Sequence, residues 1–185
     1  MSTVFFTSDL HINHDRDFIY APRGFKSVFE SDETLIKNWN SVVTDQDEVF
    51  VLGDFCLGAD LDYVRKVVSR LHGKIHLYVG NHDSRAKLRL YREEFSDVMD
   101  VCQPDYWEYG GYTFYLSHYR TDTFNYHTDR NKQVYNLSGH THQATKFYDN
   151  YPLVYNVAVD AHNNYPVSIE QIIKDIEEHN AKLGI

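Results

Sequence analysis

In Lys74-Ile75-His76-Leu77-Tyr78-Val79-Gly80-Asn81-His82-Asp83-Ser84-Arg85-Ala86-Lys87-Leu88, a β-prone run stops at a glycine and a helical run begins after a serine. The first six residues are rich in β-branched and aromatic types, which reads as a strand. Ser84 onward reads as a helix start. An amide, an imidazole and a carboxylate are therefore crowded into one strand-to-helix turn. Ligands of open α/β sheets bind outside the carboxyl ends of the strands. The same residue types also make ordinary turns, so the rest of the chain must decide.

Upstream, Thr3-Val4-Phe5-Phe6-Thr7-Ser8 is a short apolar run ending in Asp9-Leu10-His11. Residues 12 to 30 read as a loop punctuated by Pro22 and Gly24, with Arg16 and Arg23 as solvated charges. A helix is expected over Asp32 to Val43, with Leu35, Ile36, Trp39, Val42 and Val43 on its inner face. Glu48 to Leu52 is the next strand, ending in Gly53-Asp54. Asp60 to His72 is a second amphipathic helix, with Leu61, Val64, Val67, Val68 and Leu71 inward. The order β-α-β-α-β predicts a sheet of parallel strands covered by helices.

Downstream, a polar-faced helix is expected over residues 85 to 95 and a strand over Val98 to Cys102. Asp105 to Tyr109 and Tyr112 to Leu116 then flank Gly110-Gly111, a β-hairpin signature. Ser117-His118-Tyr119 closes the second arm, and residues 120 to 133 read as a polar loop. Val134 to Ser138 is a strand followed by Gly139-His140-Thr141-His142. Apolar runs near Lys146-Phe147-Tyr148 and from Leu153 to Val159 suggest a meander. The last helix starts at Ser168, where Ser168 and Gln171 form a capping-box pattern and Ile169, Ile172, Ile173 and Ile176 a buried stripe. The shift from β-α-β units to hairpins suggests a second sheet packed on the first within a single domain, residues 1–185.

The 185 residues suffice for a substantial core. Charged residues are 24% and hydrophobic ones 42%, with no apolar run long enough for a membrane span and no signal peptide at the start. Cys56 and Cys102 are too few for a disulfide framework and read as buried thiols in a reducing cytoplasm. The formal net charge of −9 argues against a tight grip on long nucleic acid. Eleven histidines are present, and imidazole is the commonest transition-metal ligand side chain.

Five strand ends carry polar clusters: Asp9/His11, Asp54, Asn81/His82/Asp83, His118 and His140/His142. Any one of them has an ordinary structural explanation. Five independent ordinary explanations, all at strand ends and all using carboxylate, imidazole or amide, are improbable together. Imidazole with carboxylate and no thiolate suits Mn, Fe, Zn, Ni or Co, with Mn first. There are ligands enough for two divalent ions. Two such ions ~3.5–4 Å apart clamp both oxygens of a displacement at phosphorus and lower the pKa of a shared water.

The blocks Asp9-x-His11, Gly53-Asp54, Gly80-Asn81-His82-Asp83, His118 and Gly139-His140-x-His142 are similar, in order and completeness, to those of the calcineurin-like metallophosphoesterase superfamily. Asn156-Val157-x-Val159-Asp160 and Pro166-Val167-Ser168 resemble the tail of its small stand-alone bacterial and phage members. The resemblance implies a four-layer αββα sandwich of two mixed sheets flanked by helices. It implies that Asp9, His11, Asp54 and His142 hold one metal, and that Asp54, Asn81, His118 and His140 hold the other, with Asp54 bridging. A metal-bridging hydroxide would attack phosphorus directly. His82 would contact the phosphate and protonate the leaving oxygen or stabilise its charge. Asp83 would either orient His82 or cap the following helix.

Gly53-Asp54 is followed here by Phe55-Cys56-Leu57-Gly58, where the protein-phosphatase branch carries an acidic residue and an arginine. Losing an arginine clamp for the terminal oxygens of a monoester tilts the expectation to phosphodiesters. Arg16, Arg23, Arg85 and Arg120 are the loop cations that could reach a substrate, and Arg85 is best placed. His14 could line the pocket, His127 could belong to a lid in the 120–133 loop, and His162 has no evident role. Trp107, Tyr109, Tyr112, Phe114 and Tyr115 serve cross-strand packing or, less plausibly, base stacking. The leading expectation is a phosphodiesterase on a small nucleotide-like phosphoester. A phosphomonoesterase or protein phosphatase, a nuclease, and a non-enzymatic scaffold are the alternatives. The oligomeric state is not legible.

Overall fold

The computed structural model describes residues 2–58, 60–123 and 133–184. Strands β1 (Val4–Thr7), β2 (Glu48–Leu52), β3 (Lys74–Tyr78) and β4 (Met99–Cys102) run parallel. They alternate with helices α1 (Asp17–Tyr20), α2 (Val28–Val42), α3 (Leu61–Val68) and α4 (Arg85–Glu94). A second sheet is built from β5 (Asp105–Tyr109), β6 (Tyr112–Leu116), β7 (Val134–Ser138), β8 (Phe147–Tyr148) and β9 (Tyr151–Asn156). The chain ends in β10 (Val167–Ser168), antiparallel to β1, and α5 (Ile169–Leu183). The strand orders are β10-β1-β2-β3-β4 and β5-β6-β7-β9-β8. The fold is thus two mixed sheets flanked by helices.

Period-two patterning divides each central strand between two cores. Phe5, Val49, Val51, Ile75, Leu77 and Met99 face the helices, where they meet Leu35, Ile36 and Trp39 of α2, Val64 and Val67 of α3, and Leu88 and Tyr91 of α4. Phe6, Phe50, Leu52 and Tyr78 point the other way, against Phe114, Leu116, Tyr135, Leu137 and Tyr155 of the second sheet. Ile169, Ile172 and Ile176 of α5 pack into that second core. Ser168 caps α5 by accepting the Gln171 N–H at 3.2 Å, whereas the Gln171 side chain turns to Asp175, so only half of the capping box forms.

The hairpin falls where expected, and its two turn glycines have φ of 56° and 86°, a type I′ geometry that few other residues adopt. The expected meander is corrected. β6 to β7 and β7 to β9 are parallel pairs, and only β8 returns antiparallel on β9. Residues 117 to 133 separate β6 from β7, chain enough for the crossover that a parallel pair needs, and the parallel pairing brings His118 and His140 to the same end of the sheet.

Smaller differences are local. α2 begins four residues before Asp32 because Ser27 accepts the Glu30 N–H and caps it. Val42 is exposed and does not join the core. The 12–30 stretch contains α1, and α3 stops at Val68. Both cysteines are free, with Cys56 buried and Cys102 only partly so. Among the described residues no helix is long and apolar enough to cross a membrane. His127 lies outside the described residues.

Candidate metal centre

The loops after β1 and β2 continue to pair beyond their strands. Asp9 and His11 donate their backbone N–H groups to the Gly53 and Asp54 carbonyls, both at 3.0 Å. Val157 donates to Ser138 and Val159 to Ser8, which sews the two sheets together at the same end. Asp9, His11, Asp54, His140 and His142 all have positive φ, between 51° and 71°. Asp, Asn and His enter this left-handed region more easily than other non-glycine residues. Each such residue costs on the order of 1–3 kcal/mol, and such strain concentrates at functional sites. Of these, Asp9, His11, Asp54 and His142 contribute ligand atoms to the converging groups.

Asp54 stands among these groups. Its Oδ2 lies 3.5 Å from His11 Nε2 and 3.5 Å from His118 Nε2. Its Oδ1 accepts the His82 N–H at 2.8 Å. A Cβ on Gly80 would collide with Asp54 Oδ1, so the Gly-Asn-His-Asp turn needs glycine to approach this closely. Burial opposes the Asp54 charge, but the nearby His11 ring, the hydrogen bond from the His82 N–H and the His118 imidazole outweigh it and hold its pKa down to about 2. Burial lowers the pKa of His11, against the neighbouring Asp54 and Asp9 carboxylates.

Two groups of lone pairs converge on either side. His11 Nε2 and His142 Nε2 lie 3.9 and 3.8 Å from Asp9 Oδ1. Asp9 Oδ1 and His11 Nε2 are buried without a hydrogen-bond partner. On the other side, His118 Nδ1–H donates to the Leu52 carbonyl at 2.8 Å, which leaves Nε2 bare. That nitrogen faces Asn81 Oδ1 at 2.9 Å and Asp54 Oδ2. Buried lone pairs without donors are costly, and a divalent cation on each side relieves that cost. The ligand atoms of Asp9, His11 and His142, and of Asp9, Asp54 and His118, lie within 4.8 Å of one another. His140 stands apart from these groups. Its ring is exposed and lies 5.0 Å from that of His118, while its backbone N–H donates to Asp9 Oδ2.

The shell around these ligands differs from the sequence reading in two places. Asp83 neither orients the His82 ring nor caps α4. It is buried and accepts the N–H groups of Asp54, Phe55 and Gly80 at 2.9, 3.2 and 2.8 Å, while Ser84 is the cap. Asp83 therefore locks the ends of β2 and β3 together. Arg23, expected to be a solvated charge, has a side chain only 2% exposed. It donates to the Asp9 and Leu10 carbonyls and to both oxygens of Asp160. Asp160 in turn faces His142 Nδ1 at 3.2 Å, which leaves His142 Nε2 free for the centre. Despite burial, His142 and Arg23 hold the Asp160 pKa down to about 2. A carboxylate that fixes the tautomer of a ligating histidine is a common metal-site device.

Other residues frame the opening. His82 is exposed, with its ring 5.4 Å from that of His11. His14 stacks on His11 at 5.2 Å, and its Nδ1 meets His11 Nδ1 at 3.1 Å. Burial and the neighbouring His11 push its pKa down to about 4. Arg85, the first residue of α4, and Arg16 are exposed. His162 is buried and faces the Asn156 carbonyl, a structural role. Lys87, absent from the sequence reading, is 2% exposed and donates to the Cys56 and His82 carbonyls. Arg23 and Lys87 carry no local pattern that marks them, and Asp160, though part of the Asn156-Val157-x-Val159-Asp160 block, carries none that marks it as the partner of Arg23 and His142.

A domain profile described as the calcineurin-like phosphoesterase superfamily domain matches residues 3–158. An uncharacterized protein of Methanocaldococcus jannaschii is 34% identical over 96% of this chain and 93% of its own length. The gene 66 protein of Mycobacterium phage D29 is 31% identical over 96% of this chain and 99% of its own. A crystal structure of a protein of unknown function from Aquifex aeolicus aligns with 94% of this chain and 99% of its own, with a TM-score of 0.67 and 22% identity. That last likeness concerns the fold.

Proposed function

The chain belongs to the calcineurin-like phosphoesterase superfamily and is a metal-dependent phosphoesterase; from that premise we propose that it is a phosphodiesterase acting on a small nucleotide-like phosphoester. Two divalent ions would serve it, manganese first and Fe, Zn, Ni or Co as substitutes. Asp9, His11, Asp54 and His142 would hold one, and Asp54, Asn81, His118 and His140 the other. When bound, such ions supply an activated water and a clamp on the phosphoryl oxygens.

The residues of the chain do the rest. Asp54 would bridge, a role supported by one oxygen lying 3.5 Å from both His11 Nε2 and His118 Nε2. His82 stands at the open rim with its backbone tied to Asp54, in position to donate a proton to the leaving oxygen. Asp83 holds that turn, and Asp160 holds His142. Arg85 and His14 would meet the substrate at the mouth.

The observation that carries the diester reading is the state of the two buried cations beside the centre. Arg23 gives its N–H groups to Asp160 and to two carbonyls, and Lys87 to two carbonyls. Neither is free to bind the extra charge of a monoester. The residues after Asp54 are the buried Phe55 and Cys56, which offer no donor side chain for a phosphate. Turnover of bis-p-nitrophenyl phosphate and p-nitrophenyl phosphate in Mn²⁺ tests the reading. The diester is expected to be preferred, and a preference for the monoester overturns it. The free thiols support a reducing, cytoplasmic setting.

A further inference from the structure

Beside the centre, on the second sheet, lies a cavity that the reaction described above does not use. It is about 320 Å³ and is lined by Arg120, Gln143, Thr145, Tyr148, Asn150 and Tyr151 among others, Asp149 included. The Arg120 guanidinium lies over two aromatic faces, 4.0 Å from the Tyr151 ring centre and 5.0 Å from that of Tyr148. Among the described residues it has no carboxylate partner. Its N–H edges remain available to a ligand, because stacking uses the face of the guanidinium plane.

The cradle is joined to the metal centre on both sides. Arg120 follows His118 by two residues, so their Cα atoms are at most about 7 Å apart. Between them Tyr119 sets its ring edge-on to His118 and His140, at 5.0 and 4.8 Å. Tyr148 bonds Thr141 through its hydroxyl at 2.8 Å, and Thr141 stands between His140 and His142. The turn is held rigid from below. Buried Asn136 accepts the Thr121 N–H and donates to Ser117 Oγ, and Ser117 and Thr121 both donate to the Tyr119 carbonyl. Arg120, stacked on two rings with no carboxylate partner among the described residues, offers planar donors to an anion beside the centre, although Asp149 lines the same cavity.

We propose that the Arg120 cradle is a second anion subsite, which takes a phosphate one nucleotide unit away from the scissile diester. The substrate class is then a dinucleotide or short oligonucleotide bearing a further phosphate. This rests on the diester reading above and narrows it.

The test compares two substrates in Mn²⁺: adenylyl-(3′,5′)-adenosine and its 5′-phosphorylated form, which differ by that one phosphate. The wild type is expected to prefer the phosphorylated form by about tenfold or more in kcat/KM, through KM. Arg120→Ala is expected to bring the preference to within about twofold of unity, and Arg120→Lys, which keeps charge without the plane, to an intermediate value. Arg120→Gln repeats the measurement should Arg120→Ala melt early by circular dichroism. No preference in the wild type, or a preference kept in Arg120→Ala and Arg120→Gln, overturns the subsite. Bis-p-nitrophenyl phosphate, with no second phosphate, reports the diester reading separately. If it is not turned over, that reading fails, and calorimetric titration of adenosine 5′-monophosphate decides the subsite. Binding about tenfold weaker in Arg120→Ala supports it, and equal affinity overturns it.

Discussion

The Asp83 carboxylate accepts the backbone N–H of Asp54 at 2.9 Å, and this bond sets Asp54 relative to the turn that carries His82. The same carboxylate takes two further N–H groups from Phe55 and Gly80. Asp83→Ala removes all three acceptors. Bonds to charged groups contribute about 1.5–3 kcal/mol each, and burial offsets part of that here. The expected net loss is about 2–4 kcal/mol in urea unfolding, with weaker metal binding by calorimetry. Asp83→Asn, which keeps the amide oxygen as an acceptor, should recover part of both. A variant with full metal affinity would show that the brace is dispensable.

His82 contributes its backbone to the metal centre and leaves its ring at the rim. His82→Ala should lower kcat by roughly 10²–10⁴-fold while metal content by mass spectrometry of the native protein stays at the wild-type value. A fall in metal content would mean that the ring is a ligand.

Metal binding should also stabilise the fold, because the converging lone pairs exist only in the native state. At a hundredfold excess over the dissociation constant the gain is about 2.7 kcal/mol, removable by a chelator. Asp54→Asn weakens both sides of the centre, so its urea midpoint should respond to the chelator much less than that of the wild type.

Arg23 is the counter-charge of Asp160 and also binds the Asp9 and Leu10 carbonyls. Arg23→Ala leaves the buried Asp160 carboxylate with His142 as its remaining partner, a loss of about 2–4 kcal/mol. The double variant Arg23→Ala/Asp160→Asn should unfold at higher urea than Arg23→Ala alone. If the double variant is weaker, the ion pair is not the source of the loss.

Asp32 supplies a pH dependence away from the metal centre. Burial raises its pKa to about 6, against hydrogen bonds from Tyr63 and Asn13 that favour the charge. The folded protein then holds this proton more tightly than the unfolded chain does. The stabilising contribution is complete below pH 3.8 and is lost as pH rises to about 6. It amounts to roughly 2–3 kcal/mol. In wild type minus Asp32→Asn, the difference in urea stability should fall between pH 4 and pH 6.5. A flat difference would contradict the raised pKa.

Much of the site was legible in the chain, because ligand chemistry is written in residue type and strand ends are written in local pattern. Gly80-Asn81-His82-Asp83 could be placed after β3 from the apolar run and the glycine alone. What could not be read was the direction of β7. A meander and a parallel crossover have the same alternation, and only pairing with β6 distinguishes them.

The sequence by itself determined most strands and the longer helices, the five polar clusters and the ion class they suit, since periodicity, caps and ligand hardness depend on neighbours a few residues away, while the short α1 escaped it. The tertiary structure alone decided which groups support the ligands. Arg23 and Asp160 are 137 residues apart in the chain, and the Leu52 carbonyl that fixes the His118 ring is 66 residues away. The cost of a buried charge depends on what surrounds it after folding. For that reason Arg23 reads in sequence as a surface charge and is a buried brace, and Asp83 reads as a partner of His82 or a cap of the next helix and is the lock between two strand ends.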